Sequence, residues 1–259
     1  MPLTRTTPQA AKTIGAAGPR KPVALITGAS RGLGRALAGA LAEDGWNLVL
    51  TARGAAQLDE AAAQLSALTR IAALAGSVVD DDHRVALAEA AAELGGADLL
   101  VNNASTLTGF DLDGAALPTL GAFPLTGLLE TFEVNVLGPI ALTQLVLPQL
   151  RRSGGAVINL SSDAAAEAYA GWGGYGASKA ALDHASAVLA VEEPRLRVWA
   201  VDPGDMRTRM HEEAFPGEDI SDRPLPETVI PAFRLLLRDW PPSGRYRAVD
   251  LLATIKESV

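Results

Sequence analysis

The feature of this sequence that most restricts its fold is a regular alternation of short apolar runs with longer stretches rich in alanine and leucine. The runs VALIT, LVL, LLV and VINL are almost continuously apolar, and glycine, aspartate or asparagine stands beside them. Strands buried on both faces of a parallel sheet have this pattern. The stretches between the runs have helical spacing, as repeated β–α units do. The chain is therefore expected to form an α/β fold, a doubly wound parallel sheet with helices on both sides.

We expect about seven strands in this sheet, with helices filling the gaps. The predicted strands cover residues 23–27, 47–51, 71–76, 98–102, 156–160, 196–201 and 246–250. In an open sheet of this kind the ligand crevice lies at the carboxyl ends of the strands. Two irregular stretches, residues 106–124 and 206–226, follow the fourth and sixth strands. They are expected to border the crevice and to contact substrate or close over it.

Composition limits the number of domains and the kinds of partner. With 259 residues, 48% of them hydrophobic, the chain suits one globular domain with one sizeable core. The formal net charge of −8 argues against binding to nucleic acid. The chain has no cysteine, which excludes disulfides and thiolate metal sites.

No membrane segment or secretion signal is predicted. The longest apolar candidate, residues 134–150, contains Gly138, two prolines and Gln144, and we expect these to interrupt it. Residues 1–20 lack the apolar core of a signal peptide, so we expect a flexible leader followed by one domain of residues 21–259. A cytoplasmic protein is expected, and the preference for arginine over lysine suggests a bacterial source.

A glycine-rich turn follows the first predicted strand. Residues 27–34 read TGASRGLG and lead into a helical stretch. Glycines in such a turn let the backbone approach a pyrophosphate, and the N-terminus of the following helix faces the anion. The spacing G-x-x-x-G-x-G differs from the common G-x-G-x-x-G fingerprint. Taken alone, these glycines could also serve turn geometry and nothing more.

Further motifs follow the glycine turn in a fixed order. They are Asn102-Asn103-Ala104-Ser105 after the fourth strand, Asn135 in a helical stretch, Ser162 after the fifth strand, Tyr175 and Lys179 at the start of the next helix, and Pro203-Gly204 with Thr208 after the sixth strand. Together with T-G-x-x-x-G-x-G, this order resembles the short-chain dehydrogenase/reductase family over roughly residues 21 to 250. The resemblance implies a Rossmann-fold catalytic domain that uses a nicotinamide cofactor to reduce a carbonyl compound or to oxidise the matching alcohol. It does not specify the substrate, since one scaffold serves many chemistries.

The end of the second strand indicates which nicotinamide cofactor binds. An acidic side chain there accepts hydrogen bonds from the adenosine ribose and repels a 2′-phosphate, but this strand ends in the letters LTAR, closing on Arg53. Arg53 and Arg31 could together form the bidentate hydrogen bonds that a phosphate favours, so NADP(H) is predicted. The alternative is that both arginines are solvated surface residues. Ser77 and Val78 stand where the family commonly has an aspartate, so adenine binding is expected to depend on main-chain groups.

Tyr175 and Lys179 are four residues apart, so on a helix they share a face and reach one site. An unperturbed tyrosine has a pKa of about 10, and a neighbouring ammonium lowers that pKa towards the working range. The resemblance implies that Tyr175 exchanges the proton with the substrate oxygen, while Lys179 lowers its pKa and holds the nicotinamide ribose. It also implies that Ser162, rather than the adjacent Ser161, bonds to the substrate oxygen, and that Asn135 helps a water connect Lys179 to solvent.

The predicted site therefore has a catalytic set and a cofactor set. The catalytic set is Asn135, Ser162, Tyr175 and Lys179. The cofactor set is Gly28, Ser30, Arg31, Gly32, Leu33, Gly34, Arg53, Val78, Asn103, Ala104, Tyr175, Lys179, Pro203, Gly204 and Thr208. No metal site is predicted, because the three histidines His83, His184 and His211 lack ligand spacing. His211, in the loop after Thr208, is a candidate substrate contact.

Three features depart from the family pattern or add to it. Ser105 stands where most relatives have glycine. Tyr169, Trp172 and Gly173 precede the catalytic tyrosine and are candidates for an apolar pocket, although simple packing is an equal alternative. The C-terminal letters SGRYRAVDLLATIKESV lack the glycine pair that many relatives carry near a tetramer interface. We therefore expect a homodimer through paired long helices and leave a tetramer open.

Two other functions compete with a carbonyl reductase or alcohol dehydrogenase that acts on a small molecule. The first is a catalytically silent protein that senses NADP(H), and the intact Ser162, Tyr175 and Lys179 argue against it. The second is an epimerase or dehydratase, which usually has a longer chain.

Overall fold

The computed structural model describes residues 20–108 and 117–257, and within them one parallel sheet organises the molecule. Its order is β3-β2-β1-β4-β5-β6-β7, and every neighbouring pair is parallel. The strands are β1 (Val23–Thr27), β2 (Asn47–Ala52), β3 (Ile71–Ala75), β4 (Leu99–Asn102), β5 (Ala156–Leu160), β6 (Arg197–Asp202) and β7 (Gly244–Arg247). The predicted Rossmann-like, doubly wound α/β sheet is confirmed. Except for Arg20, the predicted leader lies outside the described residues.

Helices cover both faces of the sheet. They are α1 (Gly32–Glu43), α2 (Ala55–Leu65), α3 (Asp81–Glu93), α4 (Leu125–Phe132), α5 (Gly138–Ser153), α6 (Gly173–Glu192), α7 (Arg209–Ala214), α8 (Ile230–Asp239) and α9 (Ala248–Glu257). A π-helical segment, Glu133–Leu137, joins α4 to α5. The predicted irregular stretch 206–226 thus contains a short helix, α7, and residues 109–116 of the other stretch lie outside the described residues.

The side chains of β1 show why its sequence is apolar at every position. All five residues of β1 are buried. Ala24 and Ile26 belong to an apolar cluster with side chains of α1 and α8 on one face of the sheet. Val23 and Leu25 belong to a second cluster, with side chains of α3 and α5, on the other face. A strand packed by helices on both sides cannot alternate polar and apolar residues.

The seventh strand was predicted wrongly. It covers Gly244–Arg247 rather than residues 246–250, and Ala248 begins α9. Trp199 pairs with Gly244 and Asp202 with Arg247, which places β7 at an edge of the sheet. An edge strand is partly solvated, so the polar letters GRYR form the strand here, while the apolar letters that follow have helical spacing. Ends of the other strands differ from prediction by no more than one residue.

The interruptions expected in residues 134–150 concern the apolar run and do not break the helix. Residues 125–153 form one continuous helical stretch of 29 residues, through Gly138, Pro139 and Pro148. Pro139 stands beside the π-helical segment, where the hydrogen-bond pattern changes and a missing N–H is accommodated. By length and composition alone, this is the one helix among the described residues that could cross a membrane. Leu142 and Val146 of its inner face pack in the core, and core helices often pass the same test.

Candidate active site

A cavity of about 950 Å³ lies at the carboxyl ends of the strands, where the crevice was expected. Segments that follow β1, β2, β3, β4, β5 and β6 line it. Every predicted site residue is part of this lining except Gly34 and Asn135. The structure thus brings together residues spread over most of the chain, while their individual roles stay predictions.

The glycine turn after β1 is shaped by close backbone packing. Gly28 and Gly32 have φ angles of 66° and 56°, which favour glycine. A Cβ atom at Gly34 would lie 2.3 Å from the Gly28 carbonyl oxygen. The Asn103 side chain holds the turn, because its Nδ2 donates hydrogen bonds to the carbonyls of Thr27 (2.8 Å) and Gly28 (3.1 Å). The N-cap residue of α1, Arg31, makes no side-chain hydrogen bond to the helix. The first residues of α1 line the cavity, so their N–H groups are available to an anion there.

This packing leads to a stability prediction. Gly34→Ala is expected to lower the free energy of unfolding by about 1–3 kcal/mol, because the added methyl group must displace backbone. Gly39→Ala in the same helix is the matched control, since among the described residues no atom beyond its chain neighbours and the nearby backbone of α1 lies within 4 Å of its Cβ position. It should raise the free energy of unfolding by up to about 1 kcal/mol through helix propensity. Urea denaturation of both variants checks this, and similar effects at the two positions would contradict the tight turn.

Arg31 and Arg53 line one end of the cavity, together with Thr51 and Gln57. Both arginines are exposed, and in the described part of the chain no carboxylate pairs with either one. The unpaired guanidinium groups of Arg31, in the turn after β1, and Arg53, after β2, give this end of the cavity a positive charge. Such a pair suits a phosphate group.

His83 is a neighbour of this end of the cavity that sequence reasoning missed. Its Nε2 lies 2.7 Å from Oγ1 of Thr51, and its ring fills the space beside Gly76, where a Cβ atom would lie 2.3 Å from Nδ1. Burial lowers the pKa of His83, and the charge of Asp80 opposes that shift. The sequence signal for this contact was Gly76 at the end of β3, because a glycine there often marks a place where another group approaches the backbone closely.

Tyr175 and Lys179 lie side by side on α6, as their spacing predicted. The Lys179 Nζ atom is 5.5 Å from the centre of the Tyr175 ring and donates a hydrogen bond to the Leu160 carbonyl (2.8 Å). Burial lowers the pKa of Lys179 to about 8, although the carboxylate of Asp183 opposes the shift. The expected lowering of the Tyr175 pKa by Lys179 is not found, because burial raises this pKa to about 12, against hydrogen bonds with Ser105 and Ser162 that lower it.

Ser162 stands at the end of β5 with its hydroxyl in a polar surrounding. It donates a hydrogen bond to Asp163 (3.0 Å) and accepts one from the N–H of Ala164 (3.2 Å). The competing Ser161 is buried and donates its hydroxyl hydrogen to Asp183 (2.7 Å). The hydroxyl of Ser161 is thus occupied inside the protein, while Ser162 lines the cavity with Tyr175, and its role as the substrate contact stays a prediction.

Arg245 of β7 supports Ser162 from outside the predicted set. Its guanidinium donates to the Ser162 carbonyl (2.8 Å) and also bonds to Asp183 (3.0 Å) and Asp202 (3.3 Å). The arginine therefore ties the ends of β5 and β6 to α6. Nothing in the sequence marked it, because β7 is a polar edge strand.

Asn135 is fully buried and its amide is occupied within the protein. Oδ1 accepts hydrogen bonds from Ser105 (3.0 Å) and from the N–H of Thr106 (2.8 Å). Nδ2 donates to the Thr106 carbonyl (3.1 Å) and to Ser178 (3.0 Å). The side chain thus joins the segment after β4 to α6. The predicted contact with a water molecule would therefore be made by the main chain of Asn135.

The segment after β6 closes the cavity on the side of the glycine turn. Gly204 has a φ angle of 75° and its N–H bonds to Asp202 (3.0 Å). Thr208 caps α7, and its methyl carbon lies 3.6 Å from the Cβ position of Gly32. The two turns therefore face each other across a short gap. A phosphate group held by one would also be within reach of the other.

An aromatic wall runs from the catalytic tyrosine along the remaining part of the cavity. The ring of Trp172 lies 5.6 Å from that of Tyr175 at a steep angle, and 5.8 Å from that of Phe215. The ring of His211 lies 4.8 Å from that of Phe215. Tyr169 also lines the cavity, and its hydroxyl shares its one hydrogen between Glu167 (2.8 Å) and Asp163 (3.1 Å). Of the residues proposed for an apolar pocket, Tyr169 and Trp172 line this cavity.

Comparison with known proteins assigns the family. The short chain dehydrogenase family profile matches residues 22–219. The chain is 35% identical over 192 residues to an uncharacterized oxidoreductase of Mycobacterium tuberculosis, covering 72% of this chain and 70% of that protein. It is 35% identical over 201 residues to the rhamnolipids biosynthesis 3-oxoacyl-[acyl-carrier-protein] reductase of Pseudomonas aeruginosa, covering 73% and 74%.

Solved structures agree with this assignment. A short chain dehydrogenase from Pseudomonas syringae aligns with a TM-score of 0.80 at 29% identity, covering 88% of this chain and 95% of that one. The alcohol dehydrogenase of Thermococcus sibiricus, complexed with 5-hydroxy-NADP, aligns with a TM-score of 0.77 at 27% identity, covering 88% and 96%. Fold and cavity define an α/β oxidoreductase of the Rossmann type. The chain belongs to the short-chain dehydrogenase/reductase family.

Proposed function

We propose that this protein is an NADPH-dependent reductase of ketones or aldehydes that also catalyses the reverse oxidation of the alcohol. The observation that carries the proposal is that Ser162, Tyr175 and Lys179 lie in one cavity with the glycine turn. The cavity suits a dinucleotide, because Gly28 and Gly32 of the turn line it without side chains and the N-terminus of α1 borders the same space. When bound, the nicotinamide supplies the hydride.

The side chains supply position and proton transfer. Tyr175 donates its proton to the carbonyl oxygen, and the hydroxyl of Ser162 turns from Asp163 to donate a hydrogen bond to the same oxygen as negative charge develops. Lys179 stabilises the phenolate that forms on Tyr175, because its Nζ atom lies 5.5 Å from the ring. Arg245 holds the Ser162 carbonyl, which keeps the hydroxyl in place.

The preference for NADP(H) rests on Arg31 and Arg53. In the double variant Arg31→Ala with Arg53→Ala, the Kd for NADPH is expected to rise by about 100-fold or more, because two charge-assisted contacts to phosphate are lost. The Kd for NADH should change little. Titration followed by nicotinamide fluorescence measures both constants.

The matched control for this experiment is Arg35→Ala. Arg35 lies on α1 outside the cavity lining and bonds to Gln64. It should leave both constants unchanged. If the double variant bound NADH and NADPH equally more weakly, or bound both as tightly as the wild type, the assignment of the 2′-phosphate site would be refuted.

We also propose a homodimer that forms through the long helices. Leu129, Leu137 and Leu145 on residues 125–153 are exposed, as are Val188 and Val191 on α6. Exposed apolar side chains on long helices suit a self-complementary interface. Leu137→Glu combined with Leu145→Glu is expected to give a monomer in sedimentation equilibrium. Leu68→Glu, at an exposed leucine beside α2, should leave the mass unchanged, and a wild-type monomer would contradict the proposal.

A further inference from the structure

Two side chains of α6 hold consecutive residues at the end of β5. Lys179 donates a hydrogen bond from Nζ to the Leu160 carbonyl (2.8 Å). Asp183, one helical turn further along α6, accepts a hydrogen bond on Oδ2 from the hydroxyl of Ser161 (2.7 Å). Residues four apart on a helix share a face, so the ammonium and the carboxylate are neighbours. Lys179 lines the cavity and Asp183 does not, which places the carboxylate behind the ammonium.

The carboxylate of Asp183 is fixed in position but only partly neutralised. Oδ2 also accepts a hydrogen bond from Nε of Arg245 (3.0 Å). The other oxygen, Oδ1, is buried and has no hydrogen-bond partner among the described residues. A buried carboxylate oxygen without a donor is unfavourable for folding, so a role beyond packing is expected for it. Its negative charge is available to a neighbouring cation.

Lys179 needs such a charge because it is buried. It is 2% exposed, and burial lowers the pKa of its ammonium to about 8, a shift that the carboxylate of Asp183 opposes. Among the ion pairs of residues 20–108 and 117–257, none includes Lys179. Asp183 thus favours the charged form without bonding to Nζ, whose other hydrogens are left for a bound molecule.

Other charged groups surround Lys179 but act elsewhere. They are Asp163 after β5, Asp202 at the end of β6, and Arg245 and Arg247 on β7. The charges of Asp163 and Asp202 raise the pKa of Tyr175, and the charge of Arg247 lowers the pKa of Asp202. The carboxylates of the helical stretch packed on α6, Glu130 and Glu133, are exposed. The charge that opposes the effect of burial on Lys179 is that of Asp183.

We propose that Asp183 is a positioning residue for the reduction: its carboxylate keeps the ammonium of Lys179 charged during turnover, and Ser161 and Arg245 hold this carboxylate in place. The inference rests on the proposed reductase function and extends its machinery behind the cavity. Asp183 and Arg245 both lie outside the cavity lining, so they act through other residues and not on the substrate.

The first test measures kcat for the reduction of 2,2,2-trifluoroacetophenone against pH, at saturating NADPH, in Asp183→Asn. The amide removes the charge but keeps an oxygen for Ser161 and Arg245, because both bonds go to the same atom, Oδ2. The midpoint of the alkaline decrease in kcat should move down by about one pH unit, because Lys179 then loses its proton more readily. Asp183→Glu keeps the charge and should restore the wild-type midpoint.

Two further variants separate this charge effect from damage to the site. In Arg245→Gln the cation is removed while Ser161 still holds the carboxylate, so the midpoint should move up, even though kcat falls through Ser162. The matched control is Asp239→Asn at the end of α8, outside the cavity lining, where the carboxylate also bonds to an arginine, Arg238 (2.7 Å). It should leave the midpoint unchanged.

NMR titration of the lysine side chains gives a readout besides activity. The chain has four lysines, and with ¹³C at Cε the resonance of Lys179 is the one that Lys179→Met lacks. Its midpoint should lie near a pH of about 8 in the wild type and lower in Asp183→Asn.

An unchanged NMR midpoint in a folded Asp183→Asn protein would overturn the role of Asp183, as would midpoints that move in the same direction in Asp183→Asn and Arg245→Gln. Circular dichroism shows whether Asp183→Asn folds, and if it does not, an unmoved midpoint in Arg245→Gln overturns the proposal. A wild type that neither binds NADPH nor reduces the ketone would instead refute the proposed function, while the NMR comparison would still test the pairing of Asp183 with Lys179.

Discussion

Tyr175→Phe is expected to lower kcat for carbonyl reduction by about 100- to 10,000-fold, the usual contribution of a positioned general acid. The ring would keep its edge contact with Trp172, so the aromatic wall is preserved while the proton donor is lost. Binding of NADPH should stay close to that of the wild type, because the glycine turn and the two arginines are untouched. Stopped-flow measurement of NADPH oxidation with a reactive ketone gives the rate.

Tyr246→Phe is the matched control for this experiment. Tyr246 lies on β7 outside the cavity lining, and its hydroxyl donates to the Pro242 carbonyl (2.8 Å). The Tyr246→Phe variant should have the same kcat as the wild type. If Tyr175→Phe retained more than a tenth of the wild-type kcat, Tyr175 would not be the proton donor.

Where local patterns decide the structure, the sequence was sufficient. β1 and β5 lie at the predicted residues, because a strand covered by helices on both faces must be apolar throughout. The glycine turn was equally visible, since two of its glycines need positive φ angles and a third has no room for a side chain. The spacing of Tyr175 and Lys179 sufficed to place them on one face of α6.

Other features depend on contacts between distant segments, and no local pattern reports those. β7 is polar because it lies at the sheet edge, which is known only once the strand order is known. The amide of Asn135 was expected to help hold a water, but it is occupied by groups 29 to 43 residues away in sequence. His211 was the histidine predicted as a candidate substrate contact, but its packing against Phe215 is evident only from the folded chain.

Lys179 should control the pH dependence of carbonyl reduction. Burial raises the pKa of Tyr175 to about 12, so this residue is a protonated acid throughout the neutral range. Burial lowers the pKa of Lys179 to about 8, so its ammonium loses its proton well before Tyr175 does. The rate of reduction is therefore expected to fall as the pH rises through about 8, when the phenolate formed on Tyr175 loses its neighbouring positive charge.

Lys179→Met should abolish this alkaline decrease and lower kcat by about 100-fold or more at neutral pH, because the stabilising charge is absent at every pH. Stability provides an independent check of the same pKa. The folded protein holds fewer protons than the unfolded chain between the lowered pKa of about 8 and the ordinary value of 10.5. The free energy of unfolding of the wild type should thus rise with pH in this interval, and relative to Lys179→Met the rise should be steeper. Parallel stability curves for the two proteins would show that Lys179 titrates normally, and the alkaline decrease would then need another group.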